Sequence, residues 1–325
     1  MRIFNAAAYS VPMQPDTQIF GAKSNMPQHG KAPPIQPRDF HTNKPAAPVR
    51  HWVRNDAYAT ALFNAFSAVF PLGETFMARS VRPFLNHLPD GLAQEARGFV
   101  QQEAAHAREH GRMNEVLTEA GYDIAPLVRV IKSFVSFFRS RSPLTCLTAT
   151  MCIEHFTAII AAEVLKNDHH LAGADPELHE LWVWHAIEET EHKAVAFDVW
   201  NYVTRDWSAA RRYAVRSGML MLVTISFLIN RTRGQMQLLK QDGIAAGPAF
   251  RGLVAHGFGR GGLARNIFKS WLSFFRPGFH PWENDDRPLM AKGEALLAEM
   301  ANAKTAAIEP NVAERRTMPR LANAA

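Results

Sequence analysis

The sequence predicts an all-α protein: a ferritin-like four-helix bundle with additional C-terminal helices. Three observations predict it. Apolar residues recur at helical spacing through most of the chain, and no segment alternates apolar and polar residues between hairpin turns. Helix-start signals also punctuate the sequence at regular intervals. The 325 residues, 47% of them hydrophobic, are ample for a sizeable core.

Residues 1–50 are rich in Pro, Gln, Asn and Gly without a sustained apolar period, and read as a mobile, disordered arm. The first long helix covers 52–87, where Pro71 and Pro83 are placed to kink or divide it. The second runs from Asp90 as N-cap to Gly121 as the residue past its end. A shorter helix follows at 124–140. Ser142-Pro143, a cap followed by proline at the first helical position, opens the third long helix, which ends near His169. Asp175-Pro176 repeats the signal and opens the fourth, ending near Thr204. Residues 51–204 thus read as the bundle, with four long helices in two pairs. Residues 205–290 read as a basic, apolar helical extension, with an apolar helix at 213–230, a Gly- and Arg-rich stretch at 250–276 and an ordered loop at 276–286. Residues 291–325 read as a C-terminal helix with a disordered tail, frayed from about residue 300.

Composition narrows the class. Cys146 and Cys152 stand six apart in a helical stretch and point in different directions, a poor disulfide pair. With no cysteine framework, and no long apolar core of a secretory signal at the start, the expected location is cytoplasmic, with membrane association possible through the extension. The net charge of +6 is uneven: residues 51–204 carry 12 Lys/Arg against 19 Asp/Glu, and residues 205–276 carry 12 against 2. The positive charge sits beside apolar residues and not beside a nucleic-acid motif, so no nucleic-acid partner is expected.

The chemistry lies in an internal repeat. Helix one places Glu74 in the apolar run FSAVFPLGETFMARSV, and helix two follows with Glu103-x-x-His106. Helix three places Glu154 in TATMCIEHFTAIIAAEVL, and helix four follows with Glu189-x-x-His192. Residues three apart on a helix share a face, roughly 5–6 Å apart at Cβ, so each Glu-x-x-His can offer a carboxylate and an imidazole to one metal ion. A lone Glu from each remaining helix can bridge two such ions held about 3.5–4 Å apart. Six ligands, Glu74, Glu103, His106, Glu154, Glu189 and His192, make the set of ferritin-like di-iron and di-manganese proteins. Carboxylate and imidazole suit iron, with manganese or zinc as alternatives. Unpaired carboxylates buried among Phe, Ile, Met and Val would each cost several kcal/mol, a cost that a dication removes.

Neighbouring residues extend the motif. His110 and His185 share the ligand faces and read either as extra ligands or as hydrogen-bonded supports. Glu188 could replace Glu189, which is preferred for matching the Glu103–His106 spacing. His155 is rotated about 100° from Glu154 around its helix, so direct ligation is disfavoured. Asp198, six past His192, is a candidate hydrogen-bond partner for a ligand histidine. Glu163 falls on the face opposite Glu154 and is expected in solvent. His280 reads as structural.

The segments HWVRNDAYATALFNAFSAVFPLGETF, EAAHAREHGRMNEVL, WHAIEETEHKAVAFDVW and RPGFHPW together resemble the bacterial family described as "predicted metal-dependent hydrolase". The resemblance covers most of 50–290 and is most specific in the third segment. It implies metal dependence, and its motif positions fall on the six residues named above.

Residues 217–230 carry no charge and are flanked by Arg205, Arg211, Arg212, Arg216, Arg231 and Arg233. A 14-residue helix spans about 21 Å, short of the roughly 30 Å hydrocarbon core, which disfavours a membrane span. The alternatives are insertion into an anionic membrane surface through 205–276 and burial against the bundle or a homodimer interface. The preferred functional reading is an O₂-activating oxygenase or oxidase with two metal ions, acting on a small hydrophobic or lipid-like substrate. The rivals are a hydrolase using a metal-activated water and a non-enzymatic iron-binding protein. No Ser-His-Asp arrangement or cysteine nucleophile offers another chemistry, and no catalytic acid or base is assigned.

Overall fold

A computed structural model of the chain describes residues 33–43, 45 and 49–317, with side chains up to residue 306. The protein is all-α, and no strand occurs among the described residues beyond one isolated bridge, Val53 to Ala174.

Proline divides the first helical stretch as its chemistry requires. α1 (Ala57–Ser67) starts at Asp56, whose carboxylate accepts from Tyr58 and Ala59 N–H. α2 (Phe70–Val81) restarts with Pro71 in its first turn, where a missing N–H costs nothing, and Pro83 lies in a closing 3₁₀ turn over Arg82–His87. α3 (Asp90–Glu119) begins one residue earlier than expected, so Asp90 is its first residue and Pro89 its cap. It ends in a Schellman motif: Gly121 N–H donates to Thr118 O and Tyr122 N–H to Leu117 O, with Gly121 at φ +87°. α4 (Ala125–Arg139) leads to α5 (Pro143–Lys166), whose Ser142 cap accepts from Thr145 N–H. α6 (Pro176–Glu191) carries the matching Asp175 cap.

The fourth long helix differs from expectation. It breaks at His192, and α7 (Val195–Val203) resumes after a turn in which Val195 N–H donates to His192 O. Helices α2, α3, α6 and α5 pack in a closed ring, α2 on α3, α3 on α6, α6 on α5 and α5 on α2. The core lies inside this ring and continues under α7 and α8 through Phe76, Phe99, Met151, Phe197 and Trp200.

The C-terminal third is more helical than its composition suggested. α8 (Ala209–Gln241) is 33 residues long, and the Gly- and Arg-rich stretch resolves into α9 (Ala246–Phe258) and α10 (Leu263–Ser273). α11 (Arg287–Thr317) starts before residue 291, continues well past 300 and packs on α6 and α5. Of the frayed tail expected over 300–325, residues 300–317 are helical and residues 318–325 lie outside the described residues. Among the described residues, three helical stretches are long and apolar enough to cross a membrane: Ala57–His87, Pro143–Lys166 and Ala209–Gln241. The length objection to a span at 213–230 therefore falls. In the first two, 67% and 61% of the apolar window is buried inside the protein, against 22% in α8.

Residues 33–43, read from sequence as part of the arm, instead run along the bundle as a strap. Gln36 N–H donates to Glu191, Arg38 N–H to Glu188 and Thr42 N–H to Glu109. Phe40 stacks on Trp184 at 4.6 Å between ring centres. The remaining arm, residues 1–32, lies outside the described residues.

Candidate metal centre

The four ring helices bring the six expected residues into one buried cluster. Glu74 comes from α2, Glu103 and His106 from α3, Glu154 from α5 and Glu189 from α6, while His192 caps α6. None is more than 1% exposed.

Two overlapping groups of donor atoms form. Glu74, His106, His185 and Glu189 make one; Glu103, Glu189 and His192 make the other. Glu189 belongs to both. Its Oε1 faces His106 Nδ1 at 3.4 Å and His185 Nε2 at 3.2 Å, and its Oε2 lies 3.6 Å from His192 Nε2. Glu189 is thus the carboxylate common to the two groups. Glu154 Oε2 lies 3.4 Å and Glu103 Oε1 3.3 Å from His192 Nε2.

The donor set passes a direct test of fit. Both oxygens of Glu74, Glu103, Glu154 and Glu189 are buried without a hydrogen-bond partner, as are His106 Nδ1 and His192 Nε2. Buried polar atoms almost always find partners, so ten orphans converging on one spot need a common one. A dication, or two, meets that need. The outward nitrogens, by contrast, are held. His106 Nε2 lies 3.1 Å from Glu188 Oε2, and His192 Nδ1–H donates to Gln102 Oε1 at 3.0 Å. One histidine thus faces the cluster through Nδ1 and the other through Nε2. The helix break at His192 accompanies this difference.

Charge follows geometry. Burial, reinforced by like charges around it, holds the Glu103 carboxyl well above the usual range; burial does the same for Glu74 and Glu154. For Glu189 burial also acts upward, but His192, His106 and His185 outweigh it and hold the carboxyl well below the usual range. Burial opposes charge on His106, yet Glu188 and Glu189 push it up to about 10. The protein atoms alone therefore draw positive charge toward the carboxylates. Burial, with His106 alongside, lowers His185 to about 4.

The additional candidates sort by position. Glu188 is an outer support for His106 and also accepts from Arg38 N–H. His185 stands within the cluster. His110 stands one step out, its Nε2 2.9 Å from His185 Nδ1 and its Nδ1 3.1 Å from Ser67 Oγ. His155 is elsewhere, packed on Phe274 and Phe279, because its rotation around α5 points it toward α10. Asp198 is a correction: it pairs with His280 Nε2 at 3.0 Å and with no histidine of the cluster. The same bond gives His280 its structural role, tying the loop after α10 to α7. Glu163 is also corrected. It is buried, accepting from His170, Asn167 and Asn266. Both cysteines are free, as expected.

Sequence reasoning missed a layer behind the cluster. Gln102 links His192 to Glu191, and Glu191 is gripped by the Arg38 guanidinium, which also reaches Glu294 on α11. Gln102 adjoins Glu103, and Glu191 lies inside the EETEH run, so both stood beside recognised motifs. Arg38 offered no comparable signal in its Pro-rich surroundings. On the outer side of Glu74, between α2, α4, α5 and α8, lies an apolar cavity of about 280 Å³.

A helical bundle with a buried, cation-seeking carboxylate–imidazole cluster defines a protein built to hold metal. The family model described as "Predicted metal-dependent hydrolase" matches residues 36–285, and the chain belongs to that family. Comparison with curated proteins and with solved structures gave no match.

Proposed function

We propose that the chain is a dinuclear metal-dependent hydrolase, its centre held by Glu74, Glu103, His106, Glu154, Glu189 and His192, acting on a substrate with an apolar part. The observation that carries this is the convergence of orphaned donor atoms from four helices in a member of this family. When bound, the ions would supply Lewis acidity and a strongly acidified water. The chain's residues do the rest. Glu188 and Gln102 fix the rings of His106 and His192. Phe70 stacked on His185, and Phe99 edge-on to His192, exclude bulk water. His185, His110, Ser67 and Asn114 form a hydrogen-bonded run that holds the His185 ring against Glu189.

A second reading, the O₂-activating oxygenase, rests on one observation: four carboxylates and two imidazoles without a thiolate, a donor set suited to iron. One experiment separates the two. The protein is reconstituted with Zn, Mn or anaerobic Fe(II), then assayed for hydrolysis of acyl and phosphoryl nitrophenyl esters and for O₂ uptake. Metal-dependent ester turnover, abolished by E189A, supports the hydrolase. O₂ uptake by the Fe(II) form, with no hydrolysis by any metal, overturns it.

We also propose that the extension meets an anionic membrane surface. Met221, Leu222, Ile225, Leu228 and Ile229 form an exposed stripe on α8, continued by Phe250, Val254 and Phe258 on α9. Arginines flank it, although Arg216 turns inward to donate to Arg276 O and Arg231 turns into the cavity beside Phe66. Salt-sensitive sedimentation with anionic liposomes is expected; none at low salt refutes it.

A further inference from the structure

The cavity beside Glu74 has one feature that neither packing nor the metal centre uses. Arg231 lines it, with Nε and Nη1 shielded from solvent and without a hydrogen-bond partner. Among the described residues no carboxylate pairs with it. Its guanidinium lies 3.7 Å from the ring centre of Phe66 and 5.5 Å from that of Phe227. Burial lowers it to about 9, so it stays charged at neutral pH. Arg231 is half-buried, and two shielded N–H donors without an acceptor cost about 1–3 kcal/mol each. A cation–π contact returns only about 2 kcal/mol of that.

Elsewhere the lining is apolar, and it is open at Gly73. A Cβ built on Gly73 would meet nothing within 4 Å, and the next residue, Glu74, lines the same cavity. Met77, Ile153, Phe156 and Val223 form much of the remaining surface. The space thus joins one half-buried positive charge to one carboxylate of the cluster through an apolar wall. A neutral hydrocarbon would fill the space but leave Arg231 unpaired. An ammonium would be repelled by it.

We propose that this cavity binds an amphiphile with an anionic head, a carboxylate or a phosphate monoester, its head on Arg231 and its apolar chain running toward Glu74. The planar guanidinium suits either oxyanion, because both accept two parallel N–H donors. The site deepens the reading of a metal enzyme with an apolar substrate and rests on it for the meaning of the Glu74 end. Binding itself needs no metal.

The test uses the full chain treated with chelator, so that no ion can capture the head. Titration calorimetry compares decanoate, decyl phosphate and decanol. At least one of the two acids should bind tenfold or more tighter than the alcohol, and the tighter acid identifies the head. R231M should bring acid and alcohol to within about twofold of each other while leaving decanol affinity unchanged; R231K should keep part of the preference. G73L, which projects into open space from a helical position, should weaken all three ligands at least tenfold with a Tm no lower than wild type. Equal affinity for acid and alcohol in the wild type overturns the proposal, as does a full acid preference in natively folded R231M. Undiminished binding in G73L overturns the location. Failure of the metal reading would show as ions per chain, and failure here as a lost acid preference without ions.

Discussion

Replacing Glu103 by Gln separates a carboxylate that waits for a cation from one that stabilises the fold by itself. Glu103 is fully buried, neither of its oxygens has a hydrogen-bond partner, and Glu154, Glu189 and Glu74 crowd it. Neutralising such a group without a change of shape removes repulsion and desolvation cost. Substituting buried ionic groups is commonly neutral or stabilising by about 1–4 kcal/mol. Because burial and its acidic neighbours already raise the Glu103 carboxyl toward its neutral form, the gain falls at the lower end, about 1–2 kcal/mol. For a chain of this size, with an unfolding entropy of about 2 cal/mol/K per residue, that raises Tm by roughly 1.5–3 °C. Bound metal acts oppositely: at a thousandfold excess over Kd it adds about 4 kcal/mol to the wild type. Thermal scans of both proteins, with chelator and with metal, give four values. Metal-free E103Q should melt above metal-free wild type, and its metal-induced rise should be much smaller. Metal-free E103Q melting well below wild type would refute the reasoning, since Glu103 would then be stabilising the fold without a cation.

Other outcomes follow from the same geometry. Metal uptake at pH 7 should release protons, measurable by calorimetry in buffers of different ionisation enthalpy, because Glu74, Glu103 and Glu154 hold protons above the usual carboxylate range; no release would contradict this. By the same sign, those three groups stabilise the metal-free fold most fully below about pH 4.5 and lose that contribution as pH rises through their raised values, whereas the metal-loaded form loses its ions as pH falls. Q102L should weaken metal binding about 10–100-fold in a competition assay while the helical signal is unchanged, because His192 loses its anchor. R38M should cost about 3 kcal/mol in denaturant titration and also weaken metal binding, because buried Glu191 loses its counter-charge and keeps only Gln36 N–H and Gln102; unchanged values would mean that the strap is passive. D198N should leave metal content at the wild-type level, since Asp198 serves His280.

Much of the fold was legible because its signals are local. Ser142-Pro143, Asp175-Pro176 and Gly121 fix helix ends through their own backbone chemistry, and the bounds fell where those residues put them. The six clustered residues were legible because a repeat places each on the inward face of its helix. Glu189's position in both donor groups was not, since that depends on how four helices approach one another. The partners of Asp198 and Glu163 were hidden for the same reason. His280 and Asn266 come from the extension, about 80 and 100 residues further along the chain. The strap at 33–43 was misread because its polar contacts come from backbone N–H groups and one arginine, Arg38, which leave no repeating side-chain pattern. α9 and α10 were obscured by glycines that lower helix propensity in sequence, yet α10 packs on both α9 and α5.

The most direct test of the two-metal centre is a count of ions. The full-length chain, purified and equilibrated with Fe(II) or Zn(II) and then desalted, should retain two ions per chain by inductively coupled plasma mass spectrometry. The E103A/E189A double variant, with a native circular dichroism spectrum, should retain none. A wild-type chain that binds no metal, or a double variant that keeps both ions, would contradict the assignment.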